Sequence, residues 1–143
     1  MEYYRTSSHS RYDIKLHFVW TTKYRRKFLS GEVARRVKLL INEICLSKNV
    51  KVIKGSMQED HVHLFVSKPP SLSESKLMQY IKGKTSRKLL MEFAHLKRQF
   101  WGRHIWARGY FVASSGNVTD EVIMQYVEMQ EKKEAENNNK IWS

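Results

Sequence analysis

The chain has 143 residues, 41% of them hydrophobic, enough to bury the core of one domain and too few for two of ordinary size. Its 26 Lys and Arg against 14 Asp and Glu leave a formal charge of +12, an excess that points to a polyanionic partner rather than to ordinary surface solvation. No run approaches the roughly 20 apolar residues of a membrane span, residues 1–10 are polar, and the lone Cys45 excludes an internal disulfide and a thiolate zinc site, so the expectation is a cytoplasmic protein without membrane association.

From Tyr12 to Thr21, the apolar Ile14, Leu16, Phe18 and Trp20 alternate with Lys15, His17 and Val19, a period of two that predicts a strand with one apolar face. The basic turn Lys23-Tyr24-Arg25-Arg26-Lys27 follows. Ser30 stands where it can cap a helix whose Val33, Val37, Leu40, Ile41 and Ile44 recur at helical spacing, with Cys45 on the same stripe and an end near Asn49. Val50–Met57 and His61–Ser67 read as two strands of a hairpin closed by Gln58-Glu59-Asp60, and Pro69-Pro70 stops the second.

Ser71 and Glu74 have the spacing of a capping box for a long helix carrying Leu77, Ile81, Leu89 and Phe93, with Gly83 weakening its middle by about 1 kcal/mol. An aromatic segment from Phe100 to Trp106 leads to a fourth strand around Tyr110–Ser114. Gly116-Asn117 turns the chain, and Thr119 caps a last helix through Val122, Ile123, Tyr126, Val127 and Gln130, with Asp120 and Glu121 in its positive first turn. Residues 1–10 and 137–143 read as flexible ends of a single domain spanning 1–143.

The order strand, helix, strand, strand, helix, strand, plus one further helix, is that of an α+β, ferredoxin-like domain: a split βαβ antiparallel sheet with helices on one face. Its first and third strands lie side by side in the middle. Val62, Leu64 and Val66 then point to the helices, which leaves His61, His63 and Phe65 on the open face beside Lys15 and His17.

Residues two apart on a strand project from one face, so His61 and His63 can bring two imidazole nitrogens to one cation; the alternative is a pair of polar residues on a solvated face. Tyr126 and Gln130, four apart on a helix, can present a phenol and an amide oxygen to a common point, although a tyrosine in an apolar stripe also serves as a core ring. Residues 76–108 hold nine Lys or Arg and one acid, Glu92, the footprint of a nucleic-acid backbone. Lys82, Lys84, Arg87 and Lys88 cluster there, and Arg98, Arg103 and Arg108 continue among Phe100, Trp101 and Trp106; Lys23, Arg25, Arg26 and Lys27 form a second cluster. Trp101 and Trp106 can also simply close the edge of the core. The last helix departs from this trend, with six acids against two bases between Asp120 and Glu136.

Trp20-Thr21-Thr22-Lys23-Tyr24-Arg25-Arg26, Asp60-His61-Val62-His63-Leu64, the Trp101-Gly102 segment and Tyr126-Val127-Glu128-Met129-Gln130, in this order over nearly the whole chain, resemble the small single-tyrosine HUH transposases of insertion sequences, the TnpA type that moves single-stranded DNA. The resemblance implies a homodimer in which His61, His63 and Gln130 bind a divalent ion, Mg²⁺ or Mn²⁺, and Tyr126 is the nucleophile that forms a 5′-phosphotyrosine. It also implies that the basic surface binds subterminal DNA hairpins and that the tyrosine helix can serve the partner subunit's site. Two alternatives stay open: a domesticated nuclease like the REP-associated tyrosine transposases, and a non-catalytic ferredoxin-like nucleic-acid-binding module using Phe65 and Lys15. A histidine-triad hydrolase is set aside because its third histidine would fall at Phe65.

Overall fold

The computed structural model describes residues 4–7, 9–101, 103–114, 119 and 121–130. The expectations placed on Gly102, Gly116-Asn117, Asp120 and the chain end after 130 lie outside the described residues.

Two short strands, β1 (Arg5–Thr6) and β2 (Arg11–Tyr12), form a ribbon ahead of a four-stranded sheet made of β3 (Lys15–Thr21), β4 (Lys51–Met57), β5 (His61–Ser67) and β6 (Phe111–Ser114). The sheet order is β4-β5-β3-β6 with every neighbour antiparallel, so β3 and β5 occupy the middle, as a ferredoxin-like fold requires. Arg5, expected in a loose end, instead donates to the Ser67 carbonyl at 2.7 Å and the Asn49 carbonyl at 2.7 Å. The strand expected from Tyr12 is divided: Arg11 and Tyr12 pair with β1, and the sheet strand starts at Lys15.

Helices α1 (Gly31–Ser47) and α2 (Glu74–Glu92) cover one face, and a short α3 (Ala94–Gln99) follows where Phe93 leaves helical geometry. The period of two in the strands explains this packing. Leu16, Phe18 and Trp20 pair across strands with Val66, Leu64 and Val62, and all six are buried with Val37, Ile41 and Ile44 of α1 and Leu77, Ile81 and Leu89 of α2. Ser30 adopts the extended backbone of an N-cap, but its side chain makes no capping bond. Capping of α2 falls to Ser73, whose Oγ accepts from the Lys76 N–H at 3.1 Å, rather than to Ser71. The turn closed by the Leu72 N–H on the Pro69 carbonyl places Ser71 and Leu72 ahead of the helix.

Residues 121–130 form the last helix, α4, started by Thr119, whose Oγ1 accepts from the Val122 N–H at 3.3 Å. It lies across the second face of the sheet. Ile123 and Val127 bury Val19 there, with Phe111 and Tyr126 packed at the edge of the cluster. The face opposite α1 and α2 is therefore half-covered, because Val19 gives the otherwise polar side of β3 an apolar seat.

Candidate active site

His61 opens β5, and Asp60 before it closes the hairpin, whose Gln58 N–H donates to the His61 carbonyl at 2.9 Å. Oδ1 of Asp60 lies 2.7 Å from Nδ1 of His61, and Nε of Arg25 donates to Oδ2 at 3.0 Å. The Asp60 backbone is held as well, its carbonyl accepting from the Thr22 N–H at 2.9 Å and the Thr22 hydroxyl at 3.2 Å. Burial opposes ionisation of Asp60, but the hydrogen bonds from His61 and Arg25 outweigh it and keep the carboxyl below its usual range. Arg25 reaches this position because Tyr24 and Arg25 take positive φ of 57° and 51°, which curls the basic turn back over the hairpin.

His63 sits one row along the same face. Its Nε2 is 2.9 Å from Nδ1 of His17, whose ring stacks on Phe65 with centroids 4.1 Å apart. One hydrogen must lie between the two nitrogens, so one ring donates and the other accepts there, and burial lowers the His17 pKa. Lys15, beyond this row, pairs with Asp13 at 3.4 Å.

A cavity of about 490 Å³ opens beside the histidines, bounded by Arg25, Lys27, Ser56 and Gln58 on one side and by Ile123 and Met124 of α4 on the other. The register puts Phe111, Val19 and His63 in one row across β6, β3 and β5. Tyr126 stands over the Phe111 end of that row, ring centroids 6.0 Å apart. Gln130, two turns beyond Ile123, is 9% exposed and donates its Nε2 to the Arg108 carbonyl at 2.7 Å. Among the described residues no three His, Cys, Asp or Glu side chains cluster as a metal site.

The basic residues divide into three groups. Arg26 donates to the Gln99 carbonyl and lies over the Phe100 ring at 5.1 Å, and Lys23 lies 5.6 Å from the Tyr24 ring centre. Lys84 and Arg87 line a second cavity, of about 480 Å³ between α1 and α2, together with Lys48, Lys76 and Tyr80; among the described residues none of these four cations has a carboxylate partner within 4 Å. Lys88 contributes to the low pKa of Glu92, and Arg98 and Arg103 are exposed. Lys82 differs from all of these: its ammonium is half-buried and donates to the Ala107 and Gly109 carbonyls.

The aromatic residues divide too. Trp106 closes the core, edge-on to Trp20 and donating its Nε1 to Thr85 Oγ1 at 2.8 Å, whereas Trp101 is 88% exposed. Of the two readings the sequence left open, closing the core holds for Trp106 alone, and Trp101, at a positive φ of 56°, stays outside it.

A ferredoxin-like sheet with two histidines on a central strand, and a tyrosine on a helix laid across the same face, is the arrangement of a single-tyrosine transposase. The chain matches the family described as "Transposase IS200 like" over residues 10–130 and belongs to it. It is 36% identical over 126 residues to the transposase for insertion sequence element IS200 of Salmonella typhimurium, covering 88% of this chain and 82% of that protein. It is 31% identical over 123 residues to the ISDra2 transposase TnpA of Deinococcus radiodurans, covering 86% and 88%. Among solved structures, a Deinococcus radiodurans protein described as a transposase superposes with a TM-score of 0.81 at 28% identity, over 88% of this chain and 97% of that one. The REP-associated tyrosine transposase bound to a REP hairpin shares the fold, with a TM-score of 0.55 at 15% identity over 81% and 66% of the two chains.

The chain is thus a transposase of the single-tyrosine type. Its sequence showed the paired histidines through their spacing. The Arg25–Asp60–His61 clamp was not apparent, although Asp60 beside a histidine in a β-turn was its visible trace.

Proposed function

We propose that this transposase cleaves and rejoins single-stranded DNA at insertion-sequence ends, with Tyr126 as nucleophile and a divalent ion held by His61, His63 and Gln130. The observation that carries the reading is the carboxylate of Asp60 on His61 Nδ1. That contact makes Nδ1 the protonated nitrogen and leaves the Nε2 lone pair for a cation, the arrangement in which histidines bind metals. Gln130 fits in the same way: with its amide nitrogen on Arg108, its oxygen is the free donor. Two imidazoles and an amide oxygen suit Mn²⁺, and Mg²⁺ less well, and His63 would join the set either through Nδ1 or by giving up the contact of its Nε2 with His17. When bound, such an ion would polarise the scissile phosphate and offset the charge that develops on it.

The chain's own residues do the rest. The Tyr126 oxygen, once deprotonated, attacks phosphorus; a bond from Tyr126 to the phosphate forms, the bond to the 3′ oxygen breaks, and the leaving oxygen takes up a proton to become a 3′ hydroxyl. The 5′-phosphotyrosine conserves the ester, so a second 3′ hydroxyl can reverse the attack and join new strands without a nucleotide triphosphate. Arg25 and Lys27 at the cavity rim hold the incoming backbone, and Lys84, Arg87, Lys48 and Lys76 offer a phosphate-gripping surface for a DNA hairpin on the far side of the sheet. One nucleophilic tyrosine per site supports a homodimer for a two-ended exchange. Ile123 and Met124 border the histidine cavity, so α4, the tyrosine helix, stands at the edge of a site, its own subunit's or, by exchange, the partner's.

The test incubates the protein with single-stranded oligonucleotides carrying the hairpins of its own element's ends, with and without Mn²⁺. A denaturation-resistant protein–DNA adduct is expected from the wild type and none from Tyr126→Phe. Equal adduct from both would refute Tyr126 as nucleophile. Hairpin binding without any adduct would favour a non-catalytic binding module.

A further inference from the structure

Lys82 carries one of the charges that the sequence places in the DNA footprint, yet its ammonium is spent inside the protein. It donates to the Ala107 carbonyl at 2.7 Å and to the Gly109 carbonyl at 2.9 Å, so it brackets residue 108 from α2. The carbonyl between those two, that of Arg108, accepts from Gln130 Nε2 at 2.7 Å. The segment is secured on its other side, where the Ala107 N–H donates to the Thr21 carbonyl at the end of β3 and Trp106 pairs with Thr22. A side chain on α2 and a side chain on α4 thus meet through three successive carbonyls of one pinned loop.

We infer that Lys82 is a positioning residue for Gln130: by clamping the carbonyls on either side of Arg108, it holds the acceptor that fixes the Gln130 amide with its oxygen turned to a metal ion. The inference rests on the proposed role of Gln130 as a ligand. An amide can turn over and exchange its nitrogen for its oxygen, and a carbonyl held in place permits only the nitrogen to face it. A loop free to rotate residue 108 would lose that choice. Placing an ammonium here is costly, since among the described residues no carboxylate lies within 4 Å of it and burial lowers its pKa to about 8. An apolar side chain of the same length would avoid that cost but would leave two carbonyls without a donor.

Mn²⁺ titrations of the intact protein, read by electron paramagnetic resonance, test the inference on wild type, Gln130→Ala, Lys82→Met and Lys82→Arg, with hairpin-oligonucleotide affinity measured alongside. Gln130→Ala and Lys82→Met are each expected to weaken Mn²⁺ binding about tenfold, the usual effect of losing a ligand's support, and Lys82→Arg, which keeps several donors, to restore most of it. Hairpin affinity of Lys82→Met should stay within about twofold of wild type while Lys84→Met loses more. Unchanged Mn²⁺ affinity in Gln130→Ala would refute the ligand role of Gln130 itself. Weakened binding in Gln130→Ala with wild-type binding in Lys82→Met would overturn the role of Lys82 alone, as would a loss of hairpin affinity in Lys82→Met equal to that of Lys84→Met. A metal-free readout is the solvent exchange of the Gln130 side-chain amide, which should quicken about tenfold in Lys82→Met, and an unchanged rate overturns the inference. If Lys82→Met fails to fold, Lys82→Gln decides by the same measurements, because its shorter amide cannot reach both carbonyls.

Discussion

Oδ1 of Asp60 lies 2.7 Å from Nδ1 of His61 while Oδ2 of the same carboxylate receives Arg25, so one side chain ties a candidate metal ligand to a cation at the cavity rim. Asparagine has the same shape but can accept on one side only; its amide nitrogen would then face a donor, either His61 or Arg25. Asp60→Asn is therefore expected to weaken Mn²⁺ binding about tenfold in a direct titration while hairpin affinity changes little, since backbone contacts elsewhere dominate it. A variant that binds Mn²⁺ as the wild type does would show that the carboxylate does not orient His61.

Trp101 is 88% exposed and stands between the exposed Arg98 and Arg103, on a backbone turned outward by its positive φ. A ring held clear of the core, with arginines three residues before it and two after it in the chain, suits an unpaired base, whose stacking on an aromatic ring contributes about 1–3 kcal/mol. Trp101→Ala should weaken binding of single-stranded DNA by roughly 5- to 160-fold on that basis and leave the melting temperature unchanged, because little is buried with it. Equal affinity of the two proteins in a fluorescence-anisotropy titration would remove Trp101 from the DNA surface.

How much of this was legible in the sequence depended on the range of the contact involved. The alternation in Leu16, Phe18, Trp20 and in Val62, Leu64, Val66 is a local property, and it placed His61, His63 and His17 together on the second face. The cap of α2 was assigned to Ser71 from its spacing to Glu74, but a turn at Pro69–Leu72 delays the helix so that Ser73 caps it. The turn of Lys82 onto carbonyls 25 and 27 residues away is a long-range contact, which no periodicity reports. Val19 alternates with the core-facing residues of its strand, yet it is buried as the seat of a helix that begins about a hundred residues later.

The depressed pKa of Lys82 gives stability a specific pH dependence. With a folded value of about 8 against 10.5 in the unfolded chain, both states hold the proton below pH 8, and between the two values the unfolded state holds more protons than the folded one. Stability from this group must then rise as pH increases from about 8 towards 10.5, the reverse of a lysine gaining a carboxylate partner. Denaturant unfolding across this range should show the difference between wild type and Lys82→Met moving in favour of the wild type as pH rises. A difference independent of pH would mean that Lys82 titrates as an exposed lysine does.

Thr85 is fully buried on α2; its hydroxyl donates to the Ile81 carbonyl at 2.7 Å and accepts from Trp106 Nε1 at 2.8 Å. The second bond crosses from α2 to the segment that leads into the 107–109 loop, so it fixes that segment independently of Lys82. Thr85→Val keeps the volume and removes the acceptor, leaving a buried indole N–H unpaired at a cost of about 1–3 kcal/mol. For a domain of this size that corresponds to a fall in melting temperature of roughly 3–12 °C. Scanning calorimetry of Thr85→Val against Thr85→Ser, which retains the oxygen but opens a small cavity, separates the two causes. If the valine variant melts with the wild type, the indole has found another acceptor and the α2 face does not anchor the loop through Trp106.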